Sequence, residues 1–266
     1  MSVRPSLGQY QVGVSPIHKL DARVKLVSTL LFMVSCFFVT RPASLVLPAV
    51  AVGAAVAASR IAPSTIARQV KPVVLFLLIT SLMNLMFVRD GDLLFTLGPV
   101  SIFSGGVSAA LLYTIRFALL LIAGALMMLT STPTALMDAF QRVFSPFEHL
   151  GVPVAEAGLV LSIALRFVPT LAQEAQHVLS AQIARGADIE GKGALAYARA
   201  CVPVIVPLFA SALRHAEGLA RALDARGYTG EERTHLHEPR IKKRDVVFVA
   251  LASIYMAAVA TMFFLG

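Results

Sequence analysis

Long apolar stretches separated by short polar segments organise the chain. Five of them approach or reach the roughly 17–25 apolar residues that a helix needs to cross a bilayer. The last, Val246–Leu265, has no charge in twenty residues. The other four are Val24–Val39, Ala43–Ser59, Pro72–Val88 and Val107–Leu129. This pattern predicts five membrane-spanning helices.

A long segment between the fourth and fifth stretches, Ser131–Asp245, has a different composition. It holds 13 of the 23 Lys and Arg residues and 12 of the 15 Asp and Glu residues. Two apolar runs lie inside it, at 157–165 and 200–213. Runs of nine and fourteen residues are more typical of buried or interfacial helices than of spans. A seven-span alternative, in which both runs cross the membrane, stays open.

Helix start and stop signals run through this segment. Thr132 followed by Pro133 is a typical helix start. A long helical pattern over 153–185 stops at Gly186, and a last helix stops at Gly227. No strand-like alternation of polar and apolar residues is recognised anywhere in the chain. The predicted fold class is an all-α integral membrane protein, with about five transmembrane helices and a cytoplasmic α-helical coupling domain between spans four and five.

The basic residues of the short loops predict the orientation. Positive charge gathers before the first stretch and between the second and third, and cytoplasmic loops carry an excess of Lys and Arg. These residues are Arg4, Lys19, Arg23, Arg60, Arg68 and Lys71. The N-terminus is therefore predicted inside and the C-terminus outside. The predicted parts are 1–130 with spans one to four, the cytoplasmic helical domain 131–245, and the last span 246–266.

Composition narrows the class of protein further. The chain is 57% hydrophobic and 14% charged, whereas soluble domains have about 25% charged residues. The net charge of +8 follows from the loop asymmetry, so no nucleic-acid partner is predicted. Cys36 and Cys201 have no metal-binding or redox spacing.

Two polar residues lie inside predicted spans. Arg116 is expected to snorkel or pair with a carbonyl, and Asn84 is expected to form an interhelical hydrogen bond.

A glycine-rich stretch around Lys192 resembles a nucleotide-binding loop only in part. Gly186, Gly191 and Lys192 have the G-x-x-x-x-G-K spacing, but Gly193 occupies the position where a Ser or Thr hydroxyl holds Mg²⁺. The stretch also follows a predicted helix, whereas a true phosphate loop follows a strand. The sequence therefore predicts that this chain binds no ATP.

Two histidine-containing pairs have spacings found in metal sites. Glu174 and His177 have the Glu-x-x-His spacing of carboxylate-bridged metal sites, but the further ligands of such a site are absent from the sequence. His235 and His237 lack a third ligand. A polar helix face is the predicted interpretation of the first pair and a solvated connector that of the second, and no catalytic constellation is found.

Two predicted helix ends share one tripeptide. Ala184-Arg185-Gly186 and Ala225-Arg226-Gly227 lie 41 residues apart. An Arg followed by Gly is good chemistry for a helix C-terminus, because the cation meets the negative end of the helix dipole. An exposed Arg also offers a planar fork to carboxylates of a partner protein. The repeat thus allows either plain capping or paired docking.

Several stretches resemble one known family over essentially the whole chain. The similar stretches are GQYQVGVSPIHKLDARVKL, LMNLMFVRDGDLLFTLGPVSI, RFALLLIAGALMMLTSTPTAL, LGVPVAEAGLVLSIALRFVPTLAQEAQ and RTHLHEPRIKKRDVVF. With the two Ala-Arg-Gly ends, the chain resembles the transmembrane T component (EcfT family) of energy-coupling factor transporters. These are bacterial importers of vitamins and other micronutrients.

The resemblance implies a role and partners. A T component is a non-catalytic scaffold in the bacterial cytoplasmic membrane, bound to two ABC-type ATPase subunits and one small membrane-embedded substrate-binding subunit. It binds no cofactor itself, because ATP and Mg²⁺ are bound by the ATPases. Carried over to this chain, Arg185 and Arg226 would each dock into one ATPase, and the flanking Ala and Gly residues would permit close approach. A self-sufficient secondary carrier or a membrane-embedded enzyme is the alternative.

Overall fold

The chain is described by a computed structural model that covers residues 10–11, 13–97, 100–186, 194–228 and 242–265. Within these ranges the backbone forms eight α-helices, two short 3₁₀ helices and one hairpin. The α-helices are α1 (Ala22–Phe37), α2 (Val46–Ser59), α3 (Pro63–Phe87), α4 (Ser104–Thr130), α5 (Pro133–Phe144), α6 (Val154–Ala184), α7 (Ala194–Ala225) and α8 (Lys243–Leu265). The 3₁₀ helices are Pro42–Leu45 and Ser145–Leu150. The all-α class is confirmed.

One small β-hairpin contradicts the expectation that the chain has no strands. β1 (Leu93–Leu97) pairs antiparallel with β2 (Val100–Phe103) in the connection between α3 and α4. The chain must reverse its direction here within a few residues, and pairing the two arms satisfies backbone groups that a free loop would leave to solvent. Four- and five-residue strands are too short to stand out as a periodic pattern.

Among the described residues, five helices are long and apolar enough to cross a membrane. By length and composition they are Pro42–Ser59, Pro63–Phe87, Ser104–Thr130, Val154–Ala184 and Lys243–Phe264. Four of them coincide with predicted spans. The predicted first span corresponds to α1, whose 16 residues give about 24 Å at 1.5 Å per residue, less than the ~30 Å apolar core of a bilayer.

The one candidate span that was not predicted, α6, belongs to the segment that the sequence assigns to the cytoplasm. It is one continuous helix of 31 residues, in which the nine-residue apolar run is followed, after Arg166, by a second apolar stretch. Its most apolar part lies between Glu156 and Glu174 and contains Arg166. A membrane-crossing placement would put Arg166 near the midplane, where a charge is costly. A cytoplasmic or interfacial position therefore remains our prediction for α6.

The chain divides into two compact units. One contains Phe144–Glu238, and the other contains Gly8–Val143 together with Pro239–Gly266. The larger unit has two buried apolar clusters, both built around α4. One joins it to α2, α8 and the connection between α1 and α2 through Val39, Leu45, Val52, Leu112, Leu119 and Val259. The other joins it to α3, the connection between α2 and α3, and the N-terminal segment through Ile17, Ile61, Ile66, Leu126 and Leu129.

Two glycines at the start of α4 allow close packing, Gly106 on the end of α3 and Gly105 on the connection that follows it. The backbone N–H of Gly105 donates to the carbonyl of Asp90 at 2.8 Å. A Cβ at Gly105 would lie 2.4 Å from that same oxygen, and one at Gly106 would lie 2.9 Å from the carbonyl oxygen of Val88. A side chain at Gly106 would therefore push α4 away from the end of α3, and one at Gly105 would push it away from the connection that follows.

The predictions for the two polar residues inside spans have different outcomes. Arg116 is buried on α4, donates from Nη2 to the carbonyl of Val39, and lies over the rings of Phe37 and Tyr113. The expectation of a carbonyl partner is confirmed.

The interhelical bond predicted for Asn84 is wrong, since its amide donates to the carbonyl of Thr80, one turn earlier in the same helix, at 2.8 Å. A local carbonyl was within reach and satisfies the donor.

Candidate functional site

The first Ala-Arg-Gly end closes α6. The helix ends at Ala184, and Gly186 follows in the left-handed conformation with φ +86°. The N–H of Gly186 donates to the carbonyl of Ile183 at 2.9 Å, and the N–H of Arg185 donates to the carbonyl of Ala181 at 3.2 Å. Glycine adopts this φ without steric cost, so the sequence ends the helix at the predicted position.

The second end closes α7 in the same way. Gly227 has φ +67°, and its N–H donates to the carbonyl of Asp224 at 2.9 Å. The N–H of Tyr228 reaches back to the carbonyl of Leu223 at 3.1 Å, which completes a Schellman motif. Sequence reasoning overlooked Tyr228. An apolar or aromatic residue directly after the terminal glycine is the signal that would have identified it.

All six residues of the two tripeptides are exposed. A Cβ added at Gly186 or Gly227 would meet nothing within 4 Å. Among the residues that the structure describes, neither Arg185 nor Arg226 has an ion-pair or hydrogen-bond partner for its side chain. Each guanidinium is therefore available to a carboxylate of another protein.

The packing of α6 on α7 fixes the distance between the two ends. Phe167 on α6 contacts His215 on α7, with ring centroids 5.8 Å apart, and the ring of His215 bonds the carbonyl of buried Ser211 at 3.0 Å. At 1.5 Å per residue, Arg185 lies roughly 27 Å beyond this contact along α6, and Arg226 roughly 16 Å beyond it along α7.

The connection between the two helices then decides their relative direction. The start of α7, at Ala194, lies roughly 31 Å before His215, and the chain from Arg185 to Ala194 can span at most about 32 Å. Parallel helices would need a connection of more than 50 Å, roughly the sum of the two helix arms. The helices therefore run in largely opposite directions, which puts the two arginine ends about 40 Å apart.

The other candidate chemistries gain no support. Glu174 and His177 lie on α6, where one carboxylate oxygen of Glu174 is buried without a partner, and no group of three His, Cys, Asp or Glu side chains gathers in the described ranges. His235 and His237 lie outside the described residues, as do Gly191, Lys192 and Gly193 of the glycine-rich stretch.

Comparison with known proteins connects this geometry to a family. The family model described as "CbiQ: Cobalt transport protein" matches residues 13–236. A putative ABC transporter ATP-binding protein of Bifidobacterium longum (strain NCC 2705) is 43% identical over 259 residues, which are 97% of this chain and 33% of that protein. The chain thus spans about a third of that relative's length.

Two further relatives match along nearly their whole length. The energy-coupling factor transporter transmembrane protein EcfT of Thermosediminibacter oceani is 34% identical over 97% of this chain and 98% of its own. The protein of the same name from Bacillus subtilis (strain 168) is 32% identical, with 97% of each chain covered. The chain therefore belongs to the EcfT family, the multi-pass transmembrane components of energy-coupling factor transporters.

Proposed function

We propose that this chain couples ATP hydrolysis by two cytoplasmic ATPase subunits to the movement of a small substrate-binding membrane subunit, for uptake of vitamins or other micronutrients. The observation that carries the proposal is the pair of matched helix ends. Arg185 and Arg226 end two long helices with the same backbone geometry, and both are exposed. Each arginine would dock into one ATPase.

The separation of the two ends favours two partners over one. A domain of about 250 residues has a diameter of roughly 45 Å, so two such domains side by side would each receive one end at about 40 Å separation. The Bifidobacterium relative adds independent support. A segment similar to 97% of this chain is joined there to further sequence in a protein named for ATP binding. This joining favours a physical association of this chain with an ATP-binding protein.

The chain itself is proposed to be non-catalytic and free of nucleotide. A glycine replaces the hydroxyl residue that would hold Mg²⁺ after Lys192. The chain purified alone should bind no ATP, whereas the complex with its ATPases should hydrolyse ATP and drive uptake in proteoliposomes. Nucleotide binding by the isolated chain that disappears in Lys192→Ala, or ATPase-driven uptake that proceeds without this chain, would refute the proposal. Mass determination of the complex in mild detergent should give two ATPases per chain.

The proposed orientation places the N-terminus and the coupling segment inside. In a background with Cys36 and Cys201 replaced by Ala, a cysteine at Asp92 should react with an impermeant maleimide added to intact cells. Ser180→Cys, an isosteric change at an exposed position of α6, should react only after permeabilisation. Labelling of Ser180→Cys in intact cells would overturn the cytoplasmic assignment of α6, and the Asp92 variant is its positive control.

A further inference from the structure

We infer that Asp245 and Lys25 are positioning residues for coupling. They hold the end of α4 and the start of α8 against a single turn of α1; α4 leads into α5, the last helix before the chain leaves the larger compact unit, and α8 begins shortly after the chain returns to it. This inference rests on the proposed coupling function. It assigns a role to two buried charged residues that the docking of the Ala-Arg-Gly ends does not involve.

The carboxylate of Asp245 joins the beginnings of two helices that are far apart in sequence. Its Oδ2 accepts a hydrogen bond from the N–H of Lys242, the residue before α8, at 2.8 Å. Its Oδ1 accepts one from the N–H of Asp21, the N-cap of α1, at 3.0 Å. Only 2% of Asp245 is exposed. The positive ends of two helix dipoles meet at this one buried anion.

Lys25 makes the complementary contact at the end of α4. From the first turns of α1, its Nζ donates to the carbonyl of Thr130 at 2.8 Å and to the hydroxyl of Ser131 at 3.2 Å. Thr130 is the last residue of α4, and Lys25 is 5% exposed. A cation at the C-terminus of a helix is favourable for the same electrostatic reason.

The position of these contacts along the chain relates them to coupling. Ser131 is followed by α5, which leads into the smaller unit at Phe144, and the chain returns through Pro239 to Lys242 and α8. The outgoing connection therefore runs through α5, which begins directly after the residues that Lys25 binds, and the returning connection leads to Lys242, whose N–H Asp245 binds. A displacement of α6 and α7 that travels along the chain reaches the membrane helices at this junction, defined by Asp21, Lys25, Thr130, Ser131, Lys242 and Asp245.

Buried charge is not the most stable way to join three helix ends. Desolvating a carboxylate and an ammonium is costly, and well-packed apolar residues often stabilise a site as well or better. Directional bonds from charged groups do fix one geometry of the joined ends, because each alternative geometry leaves a buried charge without a partner. A rigid junction is what transmission of movement through two connections requires.

The test compares uptake with ATP hydrolysis in the assembled transporter. Asp245→Asn keeps the size of the side chain but turns an NH₂ donor towards one of the two backbone N–H groups. Complexes with this variant should retain both ATPases and hydrolyse ATP, while uptake per ATP hydrolysed falls at least about tenfold because a bond to a buried charged group is lost. Glu217→Gln, the same chemical change at an exposed acid paired with Arg221, is the matched control and should leave the ratio unchanged.

Two further variants allow a loss of coupling to be distinguished from misfolding. Lys25→Met keeps most of the apolar stem and should lower the ratio in the same way. Ser131→Ala removes only the weaker of the two acceptors of Lys25 and should lower it by about two- to threefold. An unchanged ratio in every variant that assembles would mean that the junction is merely structural and would overturn the inference. Failure of all three variants to assemble would also overturn it, since the residues would then act on folding.

Failure of the proposed function gives a different result. A wild-type complex that hydrolyses ATP without uptake would refute the coupling role of the chain itself. Loss of the ATPases from the Asp245→Asn complex would place the defect at docking and would contradict the inference about the junction.

Discussion

The charge-reversed double variant R185E/R226E is expected to lose its ATPase subunits on purification and to stop ATP-driven uptake, while its membrane part stays folded. Each single variant should weaken attachment or uncouple hydrolysis from uptake. The double variant should be worse than either, because in a single variant the remaining end keeps the ATPases nearby through effective concentration.

The magnitudes predict loss of the interface without loss of the fold. Each arginine is exposed at a helix end that is followed by glycine, so reversing its charge costs the chain at most about 1 kcal/mol through the helix dipole. Breaking a buried charge pair at a protein interface typically costs ~2–5 kcal/mol. That corresponds to roughly 30- to several-thousand-fold in affinity.

A matched control is available on the same helix. Arg221 lies one turn before Arg226 on α7, has 79% of its side chain exposed and pairs with Glu217 at 3.3 Å. Arg221→Glu reverses one charge close to the docking end, and exposed pairs of this kind contribute little to stability. It should leave attachment and uptake near the wild-type level. Lysine at 185 or 226 should restore function only in part, since it lacks the planar fork of arginine.

The measurements are co-purification of the ATPases, uptake in proteoliposomes, and expression level. If R185E and R226E express normally, retain both ATPases and transport at the wild-type rate, the docking role of the Ala-Arg-Gly ends is wrong. Helix capping would then be the full explanation of the repeated tripeptide.

The second large effect is expected at the start of α4, where it packs closely on the connection that follows α3. Gly105→Ala should lower the melting temperature of the purified chain in detergent, because the new Cβ would lie 2.4 Å from the carbonyl oxygen of Asp90. That oxygen belongs to the backbone and accepts the N–H of Gly105 itself, so relief requires a shift of the connection after α3 against the start of α4. Overpacking of this kind typically costs 1–3 kcal/mol, a rough range.

Gly53→Ala provides the comparison at a glycine with free space. Gly53 lies inside α2, and a Cβ there would meet nothing within 4 Å. Alanine should stabilise that helix by about 0.5–1 kcal/mol, so the melting temperatures of the two variants should differ by roughly 5–10 °C. Equal melting temperatures would show that the contact between Gly105 and Asp90 relaxes without cost.

The amino-acid sequence determined the features that rest on local signals. The length of an apolar stretch decides whether a helix is able to cross a bilayer, and four predicted spans met that criterion in the structure. A glycine in the left-handed conformation ends a helix through its own backbone, so α6 and α7 end where Gly186 and Gly227 predicted. The family resemblance, carried by stretches along the whole chain, was confirmed by the comparisons.

Tertiary structure alone decided the features whose partners are distant in sequence. In the sequence, Asp245 is one more charge in a polar connector. In the structure it is buried, and its carboxylate accepts a hydrogen bond from the N–H of Asp21, 224 residues away. Lys25 reads as a charge at the edge of a span, yet it binds the end of α4. The distance of about 40 Å between Arg185 and Arg226 follows from where α6 crosses α7. No local pattern encodes these relations, because each depends on which helix ends the folded chain brings together.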